Sequence, residues 1–219
     1  MPHTSIDMSN YIRRLHDVLP EPTAVAQPWE ITYHAAGLIE AMIAETKRGK
    51  GKYKIKDQIA EHKNAQISPH AVIEPPVLIG PQCVIGPGAY VHGGVFLGRE
   101  VIIGPNTEVK ASFILDRVQI GHGCFVADSL IGEDAALEPG AVIANHLTER
   151  RDKNIRVVVD GDIQATGLEH FGAVIGDRAK IGANAVLTPG TLLKRNEVVP
   201  RLELVDQLAD LALNGPSGM

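Results

Sequence analysis

The residues of this 219-residue chain whose types could do chemistry fall into three groups. The first is an imidazole and its polar company: His122, with Glu108 and Lys110 upstream and Asp128 and Asn145 downstream. Imidazole titrates near neutrality, so His122 is a candidate general base. The second is a pair of thiols, Cys83 and Cys124. Two cysteines are too few for a disulfide framework and lack the paired spacing of a zinc site, which leaves a His122/Cys124 nucleophilic pair as the reactive alternative to two inert thiols. The third is the run Lys47-Arg-Gly-Lys-Gly-Lys-Tyr-Lys-Ile-Lys56. Its alternating lysines suit a solvated linker or a half-exposed edge strand, with a phosphate- or nucleotide-binding patch as the functional alternative.

The elements that position these residues are announced by a repeat. Aliphatic residues recur every sixth position at Ile67, Ile73, Ile79, Ile85, Val91, Leu97, Ile103 and Val109. The phase shortens by one to Ile114, resumes at Ile120 and Val126, shortens again to Ile131, and continues through Leu137 and Ile143. After an interruption it returns at Ile175, Ile181, Leu187, Leu193 and Val199. A helix needs apolar spacing of three and four and an ordinary strand needs two, so a spacing of six demands short strands joined by repeated tight turns. Glycine often follows the aliphatic residue, as at Gly86 and Gly104, and a small residue often fills position five, as at Ala89 and Cys124. Stacked coils of this kind satisfy backbone groups through the stack and bury an aliphatic ladder. In this register both cysteines point inward as small core residues, whereas His122, Asp128 and Asn145 occupy the outward third position at turns.

Composition agrees with such a core. The chain is 44% hydrophobic but only 4% aromatic, with 22 glycines and 14 prolines. A net charge of −5 gives no general attraction to nucleic acid or anionic membrane. No apolar stretch approaches a membrane span and the opening residues do not resemble a secretory signal, so a cytoplasmic protein is expected. Ahead of the repeat, Ser9 or Asn10 could cap a short helix over Tyr11–Leu19 that Pro20 and Pro22 would end. A longer helix should run from Pro28 toward Gly49, with Ile31, Ala35, Leu38, Ile39, Met42 and Ile43 at helical spacing. The expected organisation is an N-terminal helical segment and linker over 1–60, a repeat domain over 61–201 with an insert near 147–172, and a C-terminal helix and tail over 202–219. The terminal helices could cover the open strand edges.

The hexads resemble those of left-handed parallel β-helix proteins, in which three hexads make one triangular coil. The resemblance implies an all-β fold, a single-stranded left-handed parallel β-helix, with N-terminal helices and a short C-terminal helix. The string Glu108-Val-Lys-Ala-Ser-Phe, Ile120-Gly-His-Gly-Cys-Phe-Val-Ala-Asp128 and Gly140-Ala-Val-Ile-Ala-Asn145 is similar to the acetyltransferase domain of the bifunctional glucosamine-1-phosphate acetyltransferase/N-acetylglucosamine-1-phosphate uridyltransferases, in particular the archaeal-type sugar-phosphate nucleotidyltransferases. Pro28-Trp29-Glu-Ile resembles their linker. No glycine-rich nucleotide-binding opening precedes the repeat, so a chain without their nucleotidyltransferase domain is expected.

That resemblance implies acetyl-CoA as co-substrate, an amino sugar phosphate as acceptor, and a homotrimer whose sites lie between neighbouring chains. It implies that His122 is the catalytic base, that Lys110 holds the sugar phosphate, and that Glu108 and Asn145 line the sugar pocket. Gly140, Ala141 and Ala183 fall along the implied coenzyme path. Arg150, Arg151 and Lys153 lie where the family places a further basic contact. Departures are equally specific. Phe125 replaces a tyrosine and His92 a phosphate-binding arginine, while Glu138 and Pro139 interrupt a run of small residues beside the coenzyme. Two other readings use the same fold. One is a non-catalytic sugar-nucleotide-binding or regulatory subunit. The other is a γ-class carbonic anhydrase, which needs two histidines separated by four residues. His70, His92, His122, His146 and His170 contain no such pair, and no metal is implied.

Overall fold

A computed structural model describes residues 5–19, 27–47 and 51–214. The repeat forms the expected left-handed parallel β-helix. Short strands stack into three sheets. The first face contains Ile59–His62, Val77–Ile79, Val95–Leu97, Phe113–Ile114, Leu130–Ile131, Ala173–Ile175 and Thr191–Leu193, with Tyr53–Lys56 added antiparallel at its N-terminal edge. The second begins with Gln66–Ile67 and Val84–Ile85 and ends with Val198–Val199. The third begins with Val72–Ile73 and Tyr90–His92, continues through Glu108–Lys110 and Phe125–Ala127, and ends with Leu204–Val205.

The hexad aliphatics pair vertically, so Ile85, Ile103, Ile120 and Leu137 form one continuous inward ladder. Cys83, Cys124 and Ala141 are buried in the same core. Burial pushes the Cys83 thiol up to about 11, and the Cys124 thiol is raised for the same reason. Neither is poised as a thiolate, which removes the His122/Cys124 pair as a nucleophilic system. Glycine after the inward residue reflects close stacking. A Cβ on Gly104 would lie 2.5 Å from the carbonyl carbon of Gly121 in the next coil.

Both one-residue shortenings fall at the corner between the third face and the first, where Ala111 and Asp128 adopt left-handed φ values of 44° and 47°. Serine hydroxyls knit these tight corners. Ser112 Oγ donates to the Lys110 carbonyl and accepts the Ser129 N–H, while Ser129 Oγ donates to the Ala127 carbonyl and accepts the Ala173 N–H. The insert leaves at this same corner, and its ends close on each other through Phe171 N–H to Asn145 carbonyl, 2.9 Å. Within it, Arg156–Val159 and Asp162–Ala165 form an antiparallel hairpin.

The N-terminal helices do not cap the ends of the prism. They lie along the outside of the first face, where Ile12, Leu15, Trp29, Ile31, Ile39 and Ile43 cover the outward side chains of its strands. The physical reason is that this face is apolar on both sides: Leu78, Phe113, Leu130 and Val174 point outward and need a cover. The insert supplies the rest of that cover through Ile155, Val157, Val159 and Phe171, and Trp29 meets Phe171 edge-on with centroids 6.0 Å apart. The long helix divides at His34 into Pro28–Tyr33 and Ala35–Thr46, the first closed by a capping box between Gln27 and Glu30. The earlier helix is shorter than its periodicity suggests. A 3-10 turn over Met8–Asn10 is capped by Asp7 rather than by Ser9 or Asn10, and Leu15–Val18 follows. Pro20 and Pro22 lie outside the described residues.

The helix Gln207–Asn214 closes one strand edge directly. The Gln207 amide accepts the Leu192 N–H and donates to the Leu192 carbonyl, both at 2.9 Å, taking the place of a next strand. Among the described residues, no helix lies on the outer surfaces of the second and third faces. Val84, Ile102 and Val198 are exposed on the second, Val72 and Leu204 on the third.

Candidate functional site

His122 sits at the corner joining the second face to the third, on the turn between Gln119–Ile120 and Phe125–Ala127. It is exposed, and the coils on either side present Pro105 and Pro139. Backbone bonds fix the turn: Gly123 N–H donates to the Pro105 carbonyl and the His122 carbonyl accepts the Gly140 N–H. Among the described residues no hydrogen bond holds the imidazole itself. It is therefore an open base or acid, positioned by backbone and unrestrained by an acidic neighbour.

The third face runs from that corner to the opposite one. Its first outward column stacks Tyr90, Glu108, Phe125 and Val142, and its second stacks His92, Lys110 and Ala127. His92 Nε2 lies 3.0 Å from Glu108 Oε1, and the His92 ring stacks on Tyr90 at 4.0 Å with an interplanar angle of 9°. The Tyr90 hydroxyl donates to Glu74 at 2.7 Å. Two residues expected to meet a substrate separately are thus bound to each other. Lys110 has no acidic partner among the described residues. Its stem passes over Gly93, whose absent side chain makes the room: a Cβ there would stand 3.3 Å from Lys110 Cγ.

Asn145 and Asp128 depart from expectation. As third-position turn residues both should face solvent, but they are 3% and 8% exposed because the insert folds over this corner. Asn145 Nδ2 donates to Asp128 Oδ2 at 2.5 Å, and Asn145 Oδ1 lies 3.0 Å from His146 Nδ1. His146 in turn faces His170, with centroids 5.7 Å apart. Asp128 fixes which way the Asn145 amide points, and the amide oxygen fixes the proton of a neutral His146 on Nδ1. His146 was not expected as a site residue. Its adjacency to Asn145 was the available signal, but His170 becomes its neighbour only through the insert.

The coenzyme-path residues are only partly accessible. Gly140 lies at the His122 corner with φ 75° and Ala183 is half-buried one coil further, but the Ala141 methyl is wholly inside the core and offers the corner no side chain. Glu138 does not stand loose beside the path. It forms a two-pronged pair with Arg201, both contacts 2.8 Å, and accepts the Ala183 N–H at 2.9 Å. The Arg201 hydrogen bonds, then the Ala183 N–H, hold its carboxyl below the usual range. Arg201, missed in the sequence, became relevant only when coils separated in sequence were stacked. Arg150 and Arg151 lie across a cavity of about 300 Å³ with Arg156, Asn154 and Thr188, beyond Asn145 at the far corner of the third face.

The strand between the corners separates His122 from Lys110. Lys110 pairs with Ala127, five residues past His122, which at ~3.3 Å per residue separates the two backbone positions by up to about 16 Å along the strand.

Residues 85–199, more than half of the chain, match the family described as the GMPPB C-terminal domain. The chain belongs to that family. Residues 62–93 match the model for bacterial transferase hexapeptide repeats, so the family's repeat begins within the first coils. Among relatives, the chain is 34% identical over 140 residues to the uncharacterized acetyltransferase YaiX of Escherichia coli, covering 64% of this chain and 60% of that one. It is 36% identical over 88 residues to the bifunctional sugar-1-phosphate nucleotidylyltransferase/acetyltransferase of Sulfurisphaera tokodaii, covering 40% of this chain and 21% of that protein. The alignments therefore span less than two thirds of these relatives. A hexapeptide transferase family protein from Anaplasma phagocytophilum aligns with a TM-score of 0.32 at 22% identity, covering 64% of this member of the family and 72% of that chain. Among the described residues of this GMPPB C-terminal domain relative, no helix is long and apolar enough to cross a membrane, and no three His, Cys, Asp or Glu side chains gather as a metal site.

Proposed function

We propose that this chain is an acetyl-CoA-dependent N-acetyltransferase acting on an amino sugar phosphate, glucosamine-1-phosphate-like, with His122 as general base. The observation that carries the reading is His122 itself: an exposed, unpaired imidazole locked by backbone at a prism corner, in a chain related to proteins described as acetyltransferases. His122 accepts a proton from the sugar amine as the nitrogen bonds to the acyl carbon. The carbon–sulfur bond breaks, and the proton returns to the departing thiolate. Base catalysis of this kind is worth ~10²–10⁴-fold.

Lys110, free of an acidic partner, receives the sugar phosphate as a point cation. Glu108 and Asn145 line the acceptor pocket with His92 and Phe125 beside them. The coenzyme lies on the open side of the His122 corner, along Gly140, the backbone of Ala141, and Ala183, with the Glu138 charge at the edge of that path neutralised by Arg201. Since the length of one strand separates His122 from Lys110, the complete site is assembled from neighbouring chains of a homotrimer that meet through the second and third faces. On this reading the repeat domain works in the cytoplasm and its reaction needs no metal.

One observation favours a second reading. The Glu138–Arg201 pair spans the same corner as His122, where a coenzyme would lie, which suits a sugar-nucleotide-binding or regulatory subunit without catalysis. A thiol-release assay with acetyl-CoA and a panel of amino sugar phosphates separates the two. The enzyme reading expects release from the wild type and its loss in His122→Ala. Binding of sugar nucleotide with no release from either protein overturns it.

A further inference from the structure

The basic run at the start of the prism is not used by the site above, and the fold places part of it on a groove of its own. Tyr53–Lys56 and Ile59–His62 form the hairpin that opens the first face, pairing Tyr53 with His62. The two rings meet edge to face, 5.1 Å apart at 85°. Beside them, at the corner between the first and second faces, lies a cavity of about 750 Å³. Lys52, Lys63 and Arg99 line it with the amides of Asn64 and Gln82, and no carboxylate contributes to the lining. The three cations have no ion-pair partner among the described residues. The nearest acid by contact, Asp116, accepts the Arg99 backbone N–H at 2.8 Å and leaves the guanidinium free. His62 Nδ1 accepts the Asn64 N–H at 3.2 Å, so the proton of a neutral His62 resides on Nε2, where it can be donated.

We infer that this groove binds the diphosphate of a nucleotide. Three unpaired cations lining one groove without a carboxylate, one of them a guanidinium able to grip an anion in two places, match a diphosphate in a chain whose net charge is −5. The volume falls in the range of small-molecule sites and exceeds what a bare diphosphate fills. The Tyr53–His62 ring pair and the Asn64 and Gln82 amides offer the remaining wall a base to stack on or hydrogen-bond. The groove lies across the second face from the His122 corner, on the three coils that precede the one carrying His122, and shares no residue with the site above.

Isothermal titration of the full chain with UDP, GDP and inorganic pyrophosphate, at low and raised salt, tests the inference. One saturable site per chain is expected for both nucleotides, weakening with salt. A Lys63→Ala/Arg99→Ala variant with an unchanged melting curve should bind all three probes at least tenfold more weakly. Tyr53→Ala should weaken UDP or GDP while leaving pyrophosphate unchanged, and His122→Ala should change nothing. The inference is overturned by no saturable binding, by binding undiminished in the Lys63/Arg99 variant, by binding that His122→Ala removes, or by pyrophosphate binding as tightly as either nucleotide.

Discussion

Glu138 and Arg201 join two coils of the prism by a double hydrogen bond across 63 residues of sequence, at the corner that also carries His122. The pair substitutes a charged bracket for the glycine that most coils place after the inward aliphatic residue. Freed from Arg201, the carboxylate would swing into the corner and oppose any phosphate or thioester brought there. We expect Arg201→Ala to raise the KM for acetyl-CoA and Glu138→Gln to leave it near the wild-type value, with little change in melting temperature for either, since both groups are solvent-exposed. Because the Glu138 carboxyl is held low in the fold, its share of the pair persists above the ordinary carboxylate range and is lost as pH falls through its depressed value. Coenzyme KM values measured from pH 5 to 8 should therefore show no pH dependence arising from this pair.

Asn145 is the only side-chain donor found on buried Asp128 among the described residues. Asn145→Ala leaves a buried carboxylate without that partner and should cost about 1–3 kcal/mol in urea unfolding. Asn145→Asp places two carboxyls together and should cost more at neutral pH than near pH 4. Equal losses at both pH values would show that the amide serves only to fill space.

Phe171 is wholly buried between the insert and the helices. Phe171→Ala should destabilise the protein by about 3–5 kcal/mol, as for large core aromatics generally. Hydrogen exchange should speed first in the insert hairpin and the Trp29 helix, while the central coils stay protected.

The second face exposes Ile102 at 41% and Val84 at 37% relative accessibility, in adjacent coils. If trimer formation covers this face, Ile102→Lys should shift sedimentation from trimer toward monomer and abolish thiol release together. A wild-type chain that sediments as a monomer under assay conditions removes the shared-site proposal.

Cys83 and Cys124 should resist thiol reagents at pH 8 in the native protein and react promptly in urea. The raised thiol values mean the folded state keeps its protons, so this contribution to stability is intact below the ordinary thiol range near pH 9 and declines as pH rises above it, for Cys83 toward about 11. Rapid native labelling of Cys83 would contradict its burial.

The sequence by itself determined the prism. A six-residue aliphatic period permits few backbones, and it announced the inward ladder, the idle thiols and the exposed corner of His122 through local stereochemistry alone. Only the tertiary structure decided the surroundings of the polar residues. That Asn145 is buried on Asp128, that His92 is held by Glu108, that Glu138 is claimed by Arg201, and that the N-terminal helices flank the first face instead of capping an end all follow from contacts between coils or with the insert. Such contacts depend on which residues stack 17, 45 or 63 positions apart, and no local periodicity encodes where a side chain finds its partner.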